Sequence, residues 1–331
     1  MPTMLPELTS EIFGYLDVKG LGRARCVNTT WDMYACAILF KRVERLTNGA
    51  INQYDQFVSM LADAHSVIAG LGALHVLFPA YPAPPFLEIF TPDDEYHGVI
   101  NFLMSREHFS PALPPTMRRK LPAAAAVDHD AEAASVPRWK PSDFVAPRAG
   151  NRGVREVAYL TKGTFAVFVV RTTVGLPTYA LPAEWNSALA NYIGAFDYQS
   201  AYPDLTAAGR ALMDAGRDRA PAGVQTTVAA WRGHGWALSS DWQPWSASGR
   251  CNGVASVGCA CARRYFGDRH CAGGVPLPVR SRVERMVAYE EPMETTFWWR
   301  GGGMCSADCH EGMDSMASGA RVSLKPVLQG L

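Results

Sequence analysis

The sequence predicts an α+β chain in which a short helical head precedes a mixed body of strands and helices. Three observations lead there. Apolar residues near the start recur at helical spacing. From Ile51 the texture alternates between helix-like and strand-like segments. Further on, Val154 to Leu160 and Thr164 to Thr172 are apolar runs on either side of Thr161-Lys162-Gly163, the spacing of a β-hairpin.

In LPELTSEIFGYL, Leu8, Ile12 and Leu16 repeat every four residues with Phe13 beside them, which lines one face of a helix. Leu5-Pro6 precedes that helix, where proline is tolerated in a first turn and keeps the residue before it extended. Asp17-Val18-Lys19-Gly20 reads as a turn. A second helix is expected to carry Leu21, Ala24, Val27 or Asn28, and Trp31. A third, from about Tyr34 to Val43, carries Ile38, Leu39 and Phe40. A unit of about 40 residues is near the lower limit for independent folding, so an apolar face left outside its core needs a partner.

The body opens with a polar helix, a strand at Ser66 to Ala69, and an apolar helical stretch entered through Gly70 and Gly72. Pro82, Pro84 and Pro85 block regular structure before a short alternating strand, Phe86-Leu87-Glu88-Ile89-Phe90. A helix near His97 to Met104 follows. Residues 110–150, rich in Pro and Ala, read as a mobile insertion. After the hairpin, helical character is expected from Ala183 to Ala195. Beyond roughly Ala220 the chain is rich in Trp, Gly and Cys without a period, and its tryptophans are expected to build core. The expected units are 1–45, 46–220 with the insertion at 110–150, and 221–331.

Composition narrows the function. The 331 residues carry 31 basic and 31 acidic side chains, so no net charge argues for a nucleic-acid partner. The N-terminal MPTMLPELTSEIF has acids where a signal peptide needs basic residues, and the longest strongly apolar run, Thr164 to Val170, is too short to cross a bilayer. These features predict an intracellular protein, cytoplasmic or nuclear, without a membrane or nucleic-acid partner. Of eight cysteines, Cys26 and Cys36 lie early, while Cys251, Cys259, Cys261, Cys271, Cys305 and Cys309 fall in the last third. Cys259, Cys261, Cys305 and Cys309 are candidate thiolate ligands for a tetrahedral Zn²⁺. Their spacing matches no common zinc module, so free thiols and no cofactor are expected. His65 and His75 flank a helix without a second ligand at i+4, and read as surface or satisfied core residues.

The early segment, LPELTSEIFGYLDVKGLGRARCVNTTWDMYACAILFKRV, resembles an F-box, the helical module that docks a protein onto the adaptor subunit of an SCF-type ubiquitin ligase. The matching positions are Leu5, Pro6, Leu8, Ile12, Leu16, Leu21, Arg25, Val27 and Trp31, followed by Leu39-Phe40. The resemblance implies that Leu5, Pro6, Leu8, Ile12, Leu16, Leu21, Val27 and Trp31 engage a Skp-type adaptor. The remainder would then present a target protein that the sequence does not name.

Beyond the head, the chain resembles F-box-like proteins of mushroom-forming fungi, whose middle is similar to a nucleotidyltransferase palm. Their pattern is a Gly-Ser pair, an apolar helix and a strand bearing Asp-x-Asp. Gly70-Leu71, Leu74 to Phe78 and Phe86-Leu87-Glu88 stand in those places, and Glu184 to Leu212 matches a later segment ending in a Tyr-Pro-x-Leu-Thr turn. Nucleotidyl transfer uses two Mg²⁺ ions bridged by carboxylates. Here Phe86 stands where the first acid belongs, Leu71 replaces the serine, and Glu88 alone keeps register. The resemblance therefore implies a degenerate palm in a non-catalytic adaptor. Glu88 is then expected as a solvated strand residue, with Gly70 and Gly72 serving turn geometry or close packing. Two alternatives stay open: a nucleotide-binding or nucleotidyltransferase-like enzyme, and an interaction protein unconnected with ubiquitin ligases.

Overall fold

The computed structural model describes residues 6–47, 49–113, 153–213, 222–240, 243–245, 262–275, 294–300 and 319–324. Within them the chain is α+β. Most of the 110–150 insertion and the cysteines at 251, 259, 261, 305 and 309 lie outside the described residues.

Three helices form the head: α1 (Pro6–Phe13), α2 (Val18–Arg25) and α3 (Thr29–Thr47). Asp17 caps α2 by accepting from the Gly20 amide at 2.8 Å. The expected second helix does not run through to Trp31. It stops at Arg25, because the Asn28 side chain accepts from the Trp31 amide at 2.9 Å and caps a new helix. Trp31 thus belongs to the first turn of α3. Phe13 meets Trp31 edge-on at 5.2 Å and Tyr34 at 6.5 Å, which closes α1 against α3.

The body is built on an eight-stranded sheet with the order β11-β7-β6-β1-β2-β5-β4-β3. Its strands are β1 (Val67–Ala69), β2 (Phe86–Thr91), β3 (Ser110–Pro111), β4 (Val154–Lys162), β5 (Phe165–Thr172), β6 (Asn191–Ile193), β7 (Tyr198–Ser200) and β11 (Ala272–Gly274). The β4–β5 hairpin forms as the apolar runs predict, turning at Gly163 with φ +60°. β2 and β5 run parallel, and the other pairs are antiparallel. Helices α4 (Tyr54–Asp63), α5 (Gly70–Leu77) and α6 (Tyr96–Ser105) pack with this sheet.

The stretch expected to be helical from Ala183 to Ala195 is not. Two short 3₁₀ turns, Pro177–Ala183 and Ser187–Leu189, lead into β6. Local side chains compete successfully for the backbone there. Asn186 accepts from the Ala188 amide at 2.9 Å, and the Ser187 hydroxyl accepts from the Leu212 amide at 2.9 Å. Further on lie α7 (Pro203–Ala207), α8 (Ala222–Gly233), the parallel pair β8 (Arg210–Leu212) and β9 (Ala237–Ser239), and a small sheet of β10 (Arg264–Tyr265), β12 (Glu294–Trp299) and β13 (Gly319–Leu324). Trp231, Trp236 and Trp298 are buried, as the sequence predicts for this tryptophan-rich region.

Head and body share one apolar core, in which Phe13, Leu21 and Leu39 join Phe86, Val167, Trp185 and Trp231. A single guanidinium fastens the seam. Arg42 of α3 is buried and donates through Nη1 to the Val76 carbonyl at 2.8 Å. Through Nη2 it reaches the carbonyls of Phe13 at 3.1 Å, Gly14 at 3.2 Å and Leu16 at 2.6 Å. These carbonyls belong to the last turns of α1 and α5 and the turn after α1, where helix geometry leaves oxygens without intrahelical donors. Burial lowers Arg42 to about 10, and the charge on Asp17 opposes that shift. Arg25 makes a second tie, from Nε to Asp32 at 2.6 Å and from Nη1 to the Val275 carbonyl at 2.5 Å and the Tyr198 hydroxyl at 3.2 Å.

Replacing Arg42 by Ala strands several carbonyls at once. The expected loss is about 3 kcal/mol, since hydrogen bonds to a charged group each contribute roughly 1.5–3 kcal/mol and partly substitute for one another. A lower urea midpoint at unchanged slope would show it. His75, on α5 beside this seam, places Nδ1 2.7 Å from the Tyr81 carbonyl. Burial lowers its pKa below the ordinary 6.5, and the nearby Arg42 charge adds to this. The unfolded chain therefore takes up this proton at a higher pH than the folded one. Stability should fall as pH drops below 6.5 and level off below the folded value, with the slope reduced in His75→Gln.

Candidate protein-interaction face

α1 turns Thr9 and Phe13 inward and leaves Leu8 and Ile12 facing solvent, and Tyr15, in the turn after α1, is exposed as well. Their exposures are 49%, 48% and 79%; Val27, in the α2–α3 turn, is exposed at 57% and Met33, on α3, at 58%. Single exposed apolar side chains are normal on a soluble protein. The concentration is not: of seven large apolar side chains exposed among the described residues, five lie between Leu8 and Met33. That concentration of exposed apolar side chains makes the head the candidate contact region. Glu7 and Glu11 flank the α1 stripe, and Arg23 is exposed on α2.

The structure distributes the sequence-predicted docking residues unevenly. Leu8, Ile12 and Val27 are on the surface. Leu16 and Trp31 are half-buried, packed against the core and open along one side. Leu21 is not at the face. It has no exposed surface and joins Val18 and Ala24 on the inward side of α2, so its role is internal packing. Leu5 and the side chain of Pro6 lie outside the described residues. Tyr15 and Met33 were missed. Tyr15 continues the Leu8–Ile12 stripe at i+7 and i+3, a signal present in the sequence. Met33 faces outward because Asp32, Ala35 and Cys36 take the inward side of α3.

The palm-like positions form no open cleft. Gly70 has φ +62°, and a Cβ added there would stand 1.7 Å from Glu88 Oε2. Glu88 is 1% exposed, not solvated as expected, and accepts from the Leu71 amide at 3.1 Å. A carboxylate at the start of α5 satisfies an otherwise unbonded N–H and the helix dipole together. Leu71 is buried too, and Phe86, fully buried, stacks on Phe168 at 5.0 Å. Glu107 repeats the device in α4: also buried, it accepts from the amides of Asn52 at 2.7 Å and Gln53 at 3.0 Å just before that helix. The expectation that Gly70 and Gly72 serve turn geometry and close packing is met. Gly72 has Leu46 and Leu87 atoms within 3.3 Å of where a Cβ would stand.

The zinc candidates Cys259, Cys261, Cys305 and Cys309 lie outside the described residues. Among the described residues no group of three His, Cys, Asp or Glu side chains is placed to hold a metal ion, and no helix is long and apolar enough to cross a membrane. Cys26 is exposed and Cys36 buried, and burial and the nearby Asp268 push the Cys271 thiol up to about 12. Comparison of the chain with protein-family models, curated proteins and solved structures gave no match.

Gly70→Ala should destabilise the chain by at least about 2 kcal/mol, combining a left-handed backbone penalty with the collision on Glu88. Adding Glu88→Ala should restore part of that loss, which comparison of the two variants in urea would measure.

Proposed function

We propose that the chain is an F-box-like adaptor, whose head docks on the Skp-type subunit of an SCF ubiquitin ligase and whose body presents a target protein. The observation that carries this reading is the apolar face on the head. Leu8, Ile12 and Val27, three positions of the F-box resemblance, lie exposed on it while the helices behind them are packed and tied. An apolar helical face of this kind suits a partner with a hydrophobic groove. The body supports a binding role rather than catalysis, since Phe86 serves packing and Glu88 holds the start of α5. A cytoplasmic or nuclear location follows from that partnership. A head that also packs on its own body is what a protein unconnected with ubiquitin ligases would share; the outward stripe favours the adaptor.

The full chain and a Leu8→Ala/Ile12→Ala variant should differ in binding to a purified Skp-type adaptor by tenfold or more in calorimetry. Stability should change by less than about 1 kcal/mol, because both side chains are half in solvent. Equal affinity of the two proteins would overturn the proposal.

A further inference from the structure

We infer that the groove between α4 and α6 is a docking site on the body for an arginine side chain of a partner protein. The inference is independent of the adaptor reading, since no residue of the head takes part. The groove measures about 320 Å³ and runs between Met60 and Asp63 of α4 on one side and Glu95, Gly98 and Phe102 at α6 on the other. Its floor is apolar, because Met60 and Ala64 are buried and Phe102 is half-buried. Asp63 is exposed and Glu95 half-buried, so the lining carries two carboxylates and no Lys, Arg or His. Among the described residues neither carboxylate has an ion-pair partner.

Solvated carboxylates are ordinary on a protein surface; the opening they border is what sets this pair apart. Gly98 lies inside α6, where glycine is disfavoured. Neither of its usual uses applies there. Its φ is not in the left-handed region, and an added Cβ would meet only Glu95 Oε2, at 3.8 Å. The missing side chain instead keeps the groove open between Glu95 and Phe102, three residues before it and four after on the same side of the helix. Charge and shape together then specify the occupant. It needs a positive charge for the two carboxylates and a flat or apolar part for Phe102. Arginine supplies both, because its guanidinium is planar, stacks on aromatic faces and offers several donors to carboxylates. A lysine ammonium is more strongly hydrated and does not stack in that way.

The test is fluorescence anisotropy of a labelled peptide, Gly-Ala-Arg-Ala-Arg-Ala-Gly, titrated with the full chain at low salt. The same peptide with citrulline for arginine keeps the shape without the charge, and should bind about tenfold more weakly. Asp63→Asn/Glu95→Gln should lose about tenfold with the arginine peptide. Gly98→Leu leaves every charge in place and should lose as much by filling the groove, whereas Glu7→Gln/Glu11→Gln on the head should stay within about twofold of the parent. Melting temperatures should be unchanged, and Gly98→Gln takes the place of Gly98→Leu if the leucine lowers its own. Parent-like binding by the Gly98 variant, or an equal loss from the head pair, would overturn the site and leave diffuse attraction between charges. Absence of binding by the parent chain would overturn it too. So would a calorimetric Ca²⁺ signal that Asp63→Asn/Glu95→Gln abolishes while the peptide gives none, which would assign the groove to a metal ion. Each of those outcomes leaves the adaptor reading standing, because Leu8 and Ile12 are unaltered throughout.

Discussion

The head is held to the rest of the molecule by a buried positive charge with no buried acid bonded to it. Taking a guanidinium out of water is costly, and the fall of Arg42 to about 10 is the mark of that cost. The offset comes from peptide dipoles. Four carbonyls, three in the last turn of α1 and just beyond it and one in α5, accept from the same planar group. The Phe13 carbonyl also accepts from the Leu16 amide at 3.2 Å, and the others lie where helix ends leave acceptors short of donors, so one side chain serves several of them at once. α1 has only eight residues, far too few to be helical alone in water. Its orientation, and with it the stripe of Leu8, Ile12 and Tyr15, depends on this attachment and on the Phe13 contacts beneath.

The same economy recurs with the opposite sign. Glu88 and Glu107 are buried carboxylates, and each is placed where a helix begins and backbone N–H groups lack partners. Farther along the chain, Arg264 lies against the rings of Tyr202 at 4.9 Å and Trp298 at 5.6 Å, and bonds Asp268 and the Ala201 carbonyl. Burial alone would raise the Asp268 carboxyl, but Arg264 beside it holds it below its ordinary value. Each of these charges ties elements that are far apart in sequence. Glu88 is the instructive case, because a lone acid on a strand next to a glycine resembles a metal ligand until the 1.7 Å approach at Gly70 shows where its carboxylate sits.

Much of the fold was legible in periodicity. The spacing of Leu8 and Ile12 locates α1, although the helix ends at Phe13 and leaves Leu16 beyond it, and the paired apolar runs around Gly163 locate the β4–β5 hairpin with its turn. These elements are decided by local pattern and a local turn residue, both of which a sequence displays. What was missed is decided by partners distant in sequence, or by one hydrogen bond that outweighs propensity. The break between α2 and α3 turns on the Asn28 side chain. The loss of helix after Ala183 turns on Asn186 and on a bond from Ser187 to Leu212, 25 residues away. For the candidate face, a four-residue repeat cannot say which of two adjoining stripes points inward. Phe13 marks the buried side of α1, while the burial of Leu21 is decided by the packing of α2 and the exposure of Tyr15 by the turn after α1.

The coupling of head to body has a consequence for a partner seated on the head. Arg25 bridges Asp32 of α3 to Tyr198 of β7 and to Val275 beside β11, so the edge of the sheet is fixed to the helices. The continuous core through Leu21, Leu39 and Tyr198 fills the space between them. Interfaces between separately folded domains are commonly smaller and more polar, and they permit relative motion. Here a hinge between head and body would have to open apolar core and expose the buried Arg42 and the partly buried Arg25, each of which would then need water in place of its present acceptors. A partner on the Leu8–Tyr15 stripe would therefore hold the sheet in one orientation. The distance from that partner to anything bound on the body is then set by the fold rather than by a linker.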